Sequence, residues 1–219
     1  MKAKLLLLAI VSVMTGCASS MPEKAEMTSL NDGHTYVEQD YNKGEKGFFW
    51  RSDELEKNEY QNIIVNDVNI HVSDSIKSKL SEGDIQNFEK EIKESLAEKT
   101  AKLFPTDTTS DHQAIVDVNI IKIEDIGEDV KAREIIPIGA VVALVKEAAG
   151  TRDRSVRLVV DVDVKDQKDG HLLARRVFVV NNNGVLENDK SKITGKILDA
   201  DVNKITEQGV DFILHTMYM

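Results

Sequence analysis

Residues 155–165, SVRLVVDVDVK, then Asp169-Gly170, then residues 172–180, LLARRVFVV, form the stretch from which the fold can be read. In the first run Val156, Leu158, Val160, Val162 and Val164 recur at every second position, with Arg157, Asp161 and Asp163 between them. A period of two places the apolar set on one face of a strand. Asp-Gly favours the positive φ of a tight turn, so the second run folds back as the antiparallel partner of the first.

Working outward, residues 62–72, NIIVNDVNIHV, repeat the pattern: Ile64, Val68, Ile70 and Val72 share a face, opposite Asp67, Asn69 and His71. Residues 113–123 do the same, with Ala114, Val116, Val118 and Ile120 inward and Asp117 and Asn119 outward. Between these strands Ser81 and Asp84 give a helix-capping signal. Ile85, Phe88, Ile92, Leu96, Lys99 and Leu103 follow at helical spacing up to Pro105. After residues 181–184 the chain opens a last helix at Ser191, carrying Ile193, Ile197, Val202, Ile205, Phe212 and Ile213. The order strand, helix, strand, strand, strand, helix predicts an α+β two-layer sandwich. It has a four-stranded, mainly antiparallel sheet with two amphipathic helices on one face.

The amino terminus has another character. Residues 1–17, MKAKLLLLAIVSVMTGC, set two lysines before about ten apolar residues, half the length of a transmembrane helix, so they read as a secretory signal rather than a span. Met14-Thr15-Gly16-Cys17 resembles the bacterial lipobox, which implies cleavage before Cys17, lipid on its thiol and acylation of the new terminus. Ala18 and Ser19 follow without an Asp, which implies the periplasmic face of the outer membrane in a Gram-negative cell. The expected organisation is a signal peptide at 1–16, a lipidated terminus and flexible tether at 17–47, and a single domain at 48–219. A tether of that length has a root-mean-square reach of roughly 30 Å.

Composition restricts the partners. The formal net charge is −10, and removing a leader that carries Lys2 and Lys4 and no acid lowers it by two. Such a surface is repelled by nucleic acid. Cys17 is the single cysteine of 219 residues, so once lipidated it leaves no thiol for a disulfide, a nucleophile or a metal site.

Three groups of residues are candidates for contact or chemistry. Phe48, Phe49 and Trp50 are consecutive aromatics that either plug the core or anchor a partner. Residues 135–145 are the most apolar run outside the leader; Ile138, Val141, Val142 and Leu144 are its partner-binding candidates, or it packs on the sandwich. The polar sheet face, with Asp67, His71 and Asp117, offers a general base among acids, a docking face for a partner, or simply a solvated or partly covered surface.

Motifs of established chemistry are missing: no Gly-x-Ser-x-Gly elbow, phosphate loop or dinucleotide glycines occur. The five histidines share no ligand spacing, and Asp161-x-Asp163-x-x-Asp166 lacks the glycine and closing Glu of a calcium loop. No catalytic residue, metal or cofactor is expected. The favoured expectation is a non-catalytic interaction or accessory module of the envelope, bound to the membrane through Cys17 and to an envelope protein or a second copy of itself. The alternative is a small-ligand-binding or hydrolytic domain using the polar sheet face.

The chain also resembles the Gram-negative lipoproteins that carry the domain of unknown function numbered 3313. The resemblance rests on the lipobox, on residues 59–68 (EYQNIIVNDV), on residues 118–126, on Ile136-Pro137-Ile138-Gly139 and on the hairpin at 160–174. It covers residues from about Phe48 to the carboxyl end and implies an exported, anchored domain of this architecture; it supplies no catalytic residues.

Overall fold

The computed structural model describes residues 20–41, 45–56, 60, 62–104, 112–127 and 153–218. In chain order these form α1 (Lys24–Ser29), β1 (Val37–Tyr41), β2 (Glu45–Arg51), β3 (Asn62–Ile70), α2 (Asp74–Lys77), α3 (Glu82–Leu103), β4 (Gln113–Gly127), β5 (Arg154–Asp166), β6 (Leu172–Leu186) and α4 (Gly195–Tyr218). The strands make one sheet in the order β1-β2-β6-β5-β4-β3.

The α+β class stands, but the expected sheet is corrected. Among the described residues there are six strands and four helices, and the sheet is mixed: β3 and β4 run parallel, all other neighbours antiparallel. The parallel pair follows from α3, whose 22 residues carry the chain back to the end of the sheet at which β3 began. Ser81 caps it as read, its Oγ accepting the Asp84 N–H at 3.1 Å. Ile85, Phe88, Ile92 and Leu96 are buried, but Leu103 is 47 % exposed at the helix end. Ile193 is buried ahead of α4 rather than within it.

The two extra strands come from the segment expected to be a tether. β1 is a polar edge strand, Val-Glu-Gln-Asp-Tyr, and β2 pairs with β6 through the register Gly47↔Phe178 and Trp50↔Arg175. Gly47 is required at this crossing, because a Cβ there would lie 2.8 Å from the Val177 carbonyl oxygen. The expected domain start at Phe48 is therefore too late. Residues from Pro22 onward already pack on the sheet, while the signal peptide and Cys17 lie outside the described residues.

The larger core lies between one sheet face and α3 and α4. Val156, Leu158, Val160, Val162 and Val164 of β5 are fully buried there with Phe178, Phe212 and Ile92. Bulges adjust which residues reach it. Three steps on β3 from Val65 to Val68 oppose two on β4, so Ile63 and Val65, rather than the expected Ile64, pack on the core side with Val68, Ile70 and Val72. On the opposite face Val159, Val177 and Val179 form a second apolar cluster under Met27, Leu30 and Tyr36 of the amino-terminal segment, with Ile121 beside them. The sheet is thus covered on both sides.

Candidate functional site

The second face of the sheet carries the unusual chemistry. Alternation along β5 points Arg157, Asp161, Asp163 and Lys165 away from the helices. The hairpin register sets Asp163 opposite Arg175 on β6 and Asp117 of β4 opposite Asp163. Asp161, Asp163 and Arg157 are 2–3 % exposed, so this part of the face is covered rather than solvated. Residues 21–36 cover it like a strap, and two acids of the strap bind two arginines of the sheet.

At one end Arg157 forms a bidentate pair with Glu26 of α1, Nη1 to Oε1 at 2.7 Å and Nη2 to Oε2 at 2.9 Å. The same guanidinium donates to Glu124 Oε2 at 2.9 Å and to the Met21 carbonyl oxygen at 3.2 Å. Glu26 further accepts the Glu23 N–H at 2.7 Å and Lys122 Nζ at 3.1 Å. Burial alone would raise the Glu26 pKa, but hydrogen bonds from Arg157, the Glu23 N–H and Lys122 together hold it down at about 2.

At the other end Arg175 donates Nη1 to Asp32 Oδ2 at 2.6 Å and Nη2 to Asp163 Oδ2 at 2.7 Å. Tyr36 donates its hydroxyl to the same Asp32 oxygen. Burial opposes ionisation of Asp32; the Tyr36 hydroxyl, the His34 N–H and Arg175 overcome it and lower its pKa. Lys165 Nζ bonds Asp117 Oδ2 at 2.9 Å and lies 3.4 Å from Asp163.

Asp161 is left over. Its Oδ1 lies 3.2 Å from Arg175 Nε but accepts no hydrogen bond among the described residues, since that N–H is directed to Asp163. Burial, and then the adjacent Asp163 carboxylate, raise the Asp161 pKa well above the usual carboxylate range. Arg157, Asp161 and Asp163 lie buried under the strap, and the arrangement holds that segment down on the sheet.

The residues singled out from the sequence do not converge. Asp117 is buried, with Oδ1 accepting Asn66 Nδ2 at 2.9 Å and the Asp67 N–H at 3.3 Å. Asp67 itself is exposed. His71 is exposed past the end of β3, about 13 Å along the chain from Asp67 at strand spacing. It lines a groove of about 730 Å³ with Ile70, Val72, Ser75, Ile123 and Glu124.

The aromatic triplet is divided by the pleat. Phe49 meets Phe212 of α4 edge to face at 5.9 Å on the core side, Trp50 stacks on His34 of the strap at 3.6 Å, and Phe48 is half-buried. Ile138, Val141, Val142, Leu144 and Cys17 lie outside the described residues. Asp166, Asp169 and His171 cluster closely enough at the hairpin turn for a metal ion. However, Asp166 accepts the Tyr60 hydroxyl and two backbone N–H groups, and Asp169 is paired with His171.

Sequence reasoning missed Glu26, Asp32, Tyr36 and Arg175. Counting back from the Asp169-Gly170 turn puts Arg176 opposite Asp163; the register irregularity between Val164 and Lys165 brings Arg175 there instead. Among the described residues no helix is long and apolar enough to cross a membrane.

A family model described as "Protein of unknown function (DUF3313)" matches residues 28–192, which hold all six strands. The chain belongs to the DUF3313 family. No curated protein matches it. Among solved structures it is similar to a PelC dodecamer from Paraburkholderia phytofirmans in two crystal forms. One, of a substituted variant, gives 5 % identity, 75 % of this chain and 95 % of that one, and a TM-score of 0.36. The other gives 7 %, 78 % and 97 %, and 0.34. It is also similar to a Helicobacter pylori homolog of neuraminyllactose-binding hemagglutinin, at 12 % identity, 74 % and 89 % coverage and a TM-score of 0.35. Likeness at this level carries no argument about what this DUF3313 chain does.

Proposed function

We propose that this DUF3313 protein is a non-catalytic, lipid-anchored module on the periplasmic face of the outer membrane, where it engages an envelope protein or a second copy of itself. One observation supports the non-catalytic part: Arg157, Asp161 and Asp163 are 2–3 % exposed beneath residues 21–36, whose Glu26 and Asp32 bind Arg157 and Arg175. The Met14-Thr15-Gly16-Cys17 motif supports the anchor. Both outer strands, β1 and β3, have an open edge among the described residues, which is the feature that pairs with another chain's strand.

The test is crosslinking in intact cells, followed by purification of the full-length protein and mass spectrometry. A reproducible envelope partner, or a crosslinked copy of the chain, is expected, and Cys17→Ser should release the protein from the membrane fraction. Wild-type membrane retention after Cys17→Ser would overturn the anchor, and recovery of neither partner nor copy would overturn the interaction.

The groove beside His71 favours a second reading, a small-ligand site, because its size suits a ligand of ordinary dimensions. A thermal shift of wild-type protein with a ligand library, lost in His71→Ala, is its expected sign; no shift with any ligand would count against it.

A further inference from the structure

We infer that the domain is held flush against the lipid surface, with α1 and the Arg157 end of the sheet toward the headgroups, rather than suspended on a tether. The inference rests on the proposed lipid at Cys17 and adds its geometry. Arg157, 2 % exposed, fixes the strap at its first turn: its guanidinium binds the Met21 carbonyl oxygen and both oxygens of Glu26. Met21 is four residues from Cys17. A chain spans at most about 3.5 Å per residue, so this fixed point can stand no more than about 14 Å from the lipidated residue. The remainder of the expected tether provides no slack, because residues 24–29 are helical on the sheet and residues 37–41 are a strand within it.

A leash this short also restricts the orientation: the Arg157 end cannot leave the surface, whereas the far end of the sheet can. β5 leads from Arg157 to the hairpin turn at Asp166, nine residues on, so the turn lies about 30 Å farther along the sheet. Charge attraction does not explain close approach, since the chain is acidic and anionic headgroups repel it. The leash therefore predicts a standoff that persists in high salt, where an electrostatically held surface would detach.

The experiment uses the full-length, lipidated protein in vesicles of phosphatidylethanolamine and phosphatidylglycerol, with an energy acceptor on the headgroups. A donor is placed through Lys24→Cys at the start of α1 or Lys168→Cys at the hairpin turn, both exposed positions. Transfer is expected to be several-fold greater from position 24 than from 168, unchanged between low and high salt. It should drop at position 24 when a Gly/Ser linker of about a dozen residues is inserted after Ser20. Equal transfer from both positions, or a wild-type signal unaffected by the linker, in protein whose lipid is verified by mass spectrometry, would overturn the inference while leaving the anchor intact. A chain that carries no lipid on Cys17 would overturn the anchor itself.

Discussion

Arg157 of β5 and Glu26 of α1, 131 residues apart in the chain, meet through two parallel hydrogen bonds of 2.7 and 2.9 Å in a place where neither is more than 6 % exposed. Removing one partner leaves the other buried with its charge uncompensated. Arg157→Met is expected to lower stability by about 3–5 kcal/mol in urea denaturation and to speed proteolysis within residues 21–36. The pair Arg157→Met with Glu26→Leu should recover most of that loss, because an apolar contact replaces the ion pair; a double variant as weak as the single would show that the strap is held elsewhere.

Acid should weaken the same contact. The Glu26 carboxyl has a folded pKa of about 2 against an ordinary 4.5, so the unfolded chain binds its proton first as pH falls. Its contribution is complete above the ordinary value and is lost as pH drops from about 4.5 toward 2. The size is on the order of 3 kcal/mol. Comparing urea midpoints of wild type and Glu26→Gln from pH 6 to pH 2 should show the two curves converging at the acid end.

Asp161 carries the opposite sign. Its folded pKa is raised, so the folded state keeps a proton that the unfolded chain has released above about pH 4. Stability from this group therefore declines as pH rises from that point through the folded value. Asp161→Asn, which keeps the shape of the neutral acid, is expected to be near neutral at pH 4 and to stabilise by at least about 1 kcal/mol at pH 8. Parallel pH profiles for the two proteins would contradict this assignment.

The β2–β6 junction should be intolerant of a single methyl group. Gly47→Ala places a Cβ 2.8 Å from the Val177 carbonyl oxygen. A cost of about 1–3 kcal/mol is expected, read as a lower melting temperature and faster amide exchange in β1 and β2 than in β4 and β5.

The central hairpin and α3 were legible in the sequence because their signals are local. The valine alternation of β5, the Asp169-Gly170 turn and the Ser81 cap each act within a few residues, and each appears in place. β1 and β2 were not, since Val37–Tyr41 is polar and Glu45–Arg51 alternates poorly; both become strands only by pairing with each other and with a β6 more than a hundred residues downstream. The bulge at Asn66 and Asp67 is equally silent in pattern, and it reversed the side on which Ile63 and Val65 pack. The charged face was found in part. Arg157, Asp161 and Asp163 stood out against the valines, but burial depended on Glu26 and Asp32, whose positions over the sheet no local rule specifies.

The position of β2 bears on the order in which the molecule can assemble. Its partner toward the centre of the sheet is β6, and the arginines that fasten the strap are on β5 and β6, so residues 21–51 cannot close onto the sheet until residues 154–186 are present. β3, α3 and β4 can form beforehand from closer contacts, and long-range pairing comes slowest. A nascent chain threading through a membrane head first would therefore keep its leading residues uncommitted until most of its length had passed. In the anchoring reading, enzymes that cut and acylate at Cys17 would have that interval to act, and completion of the hairpin would end it.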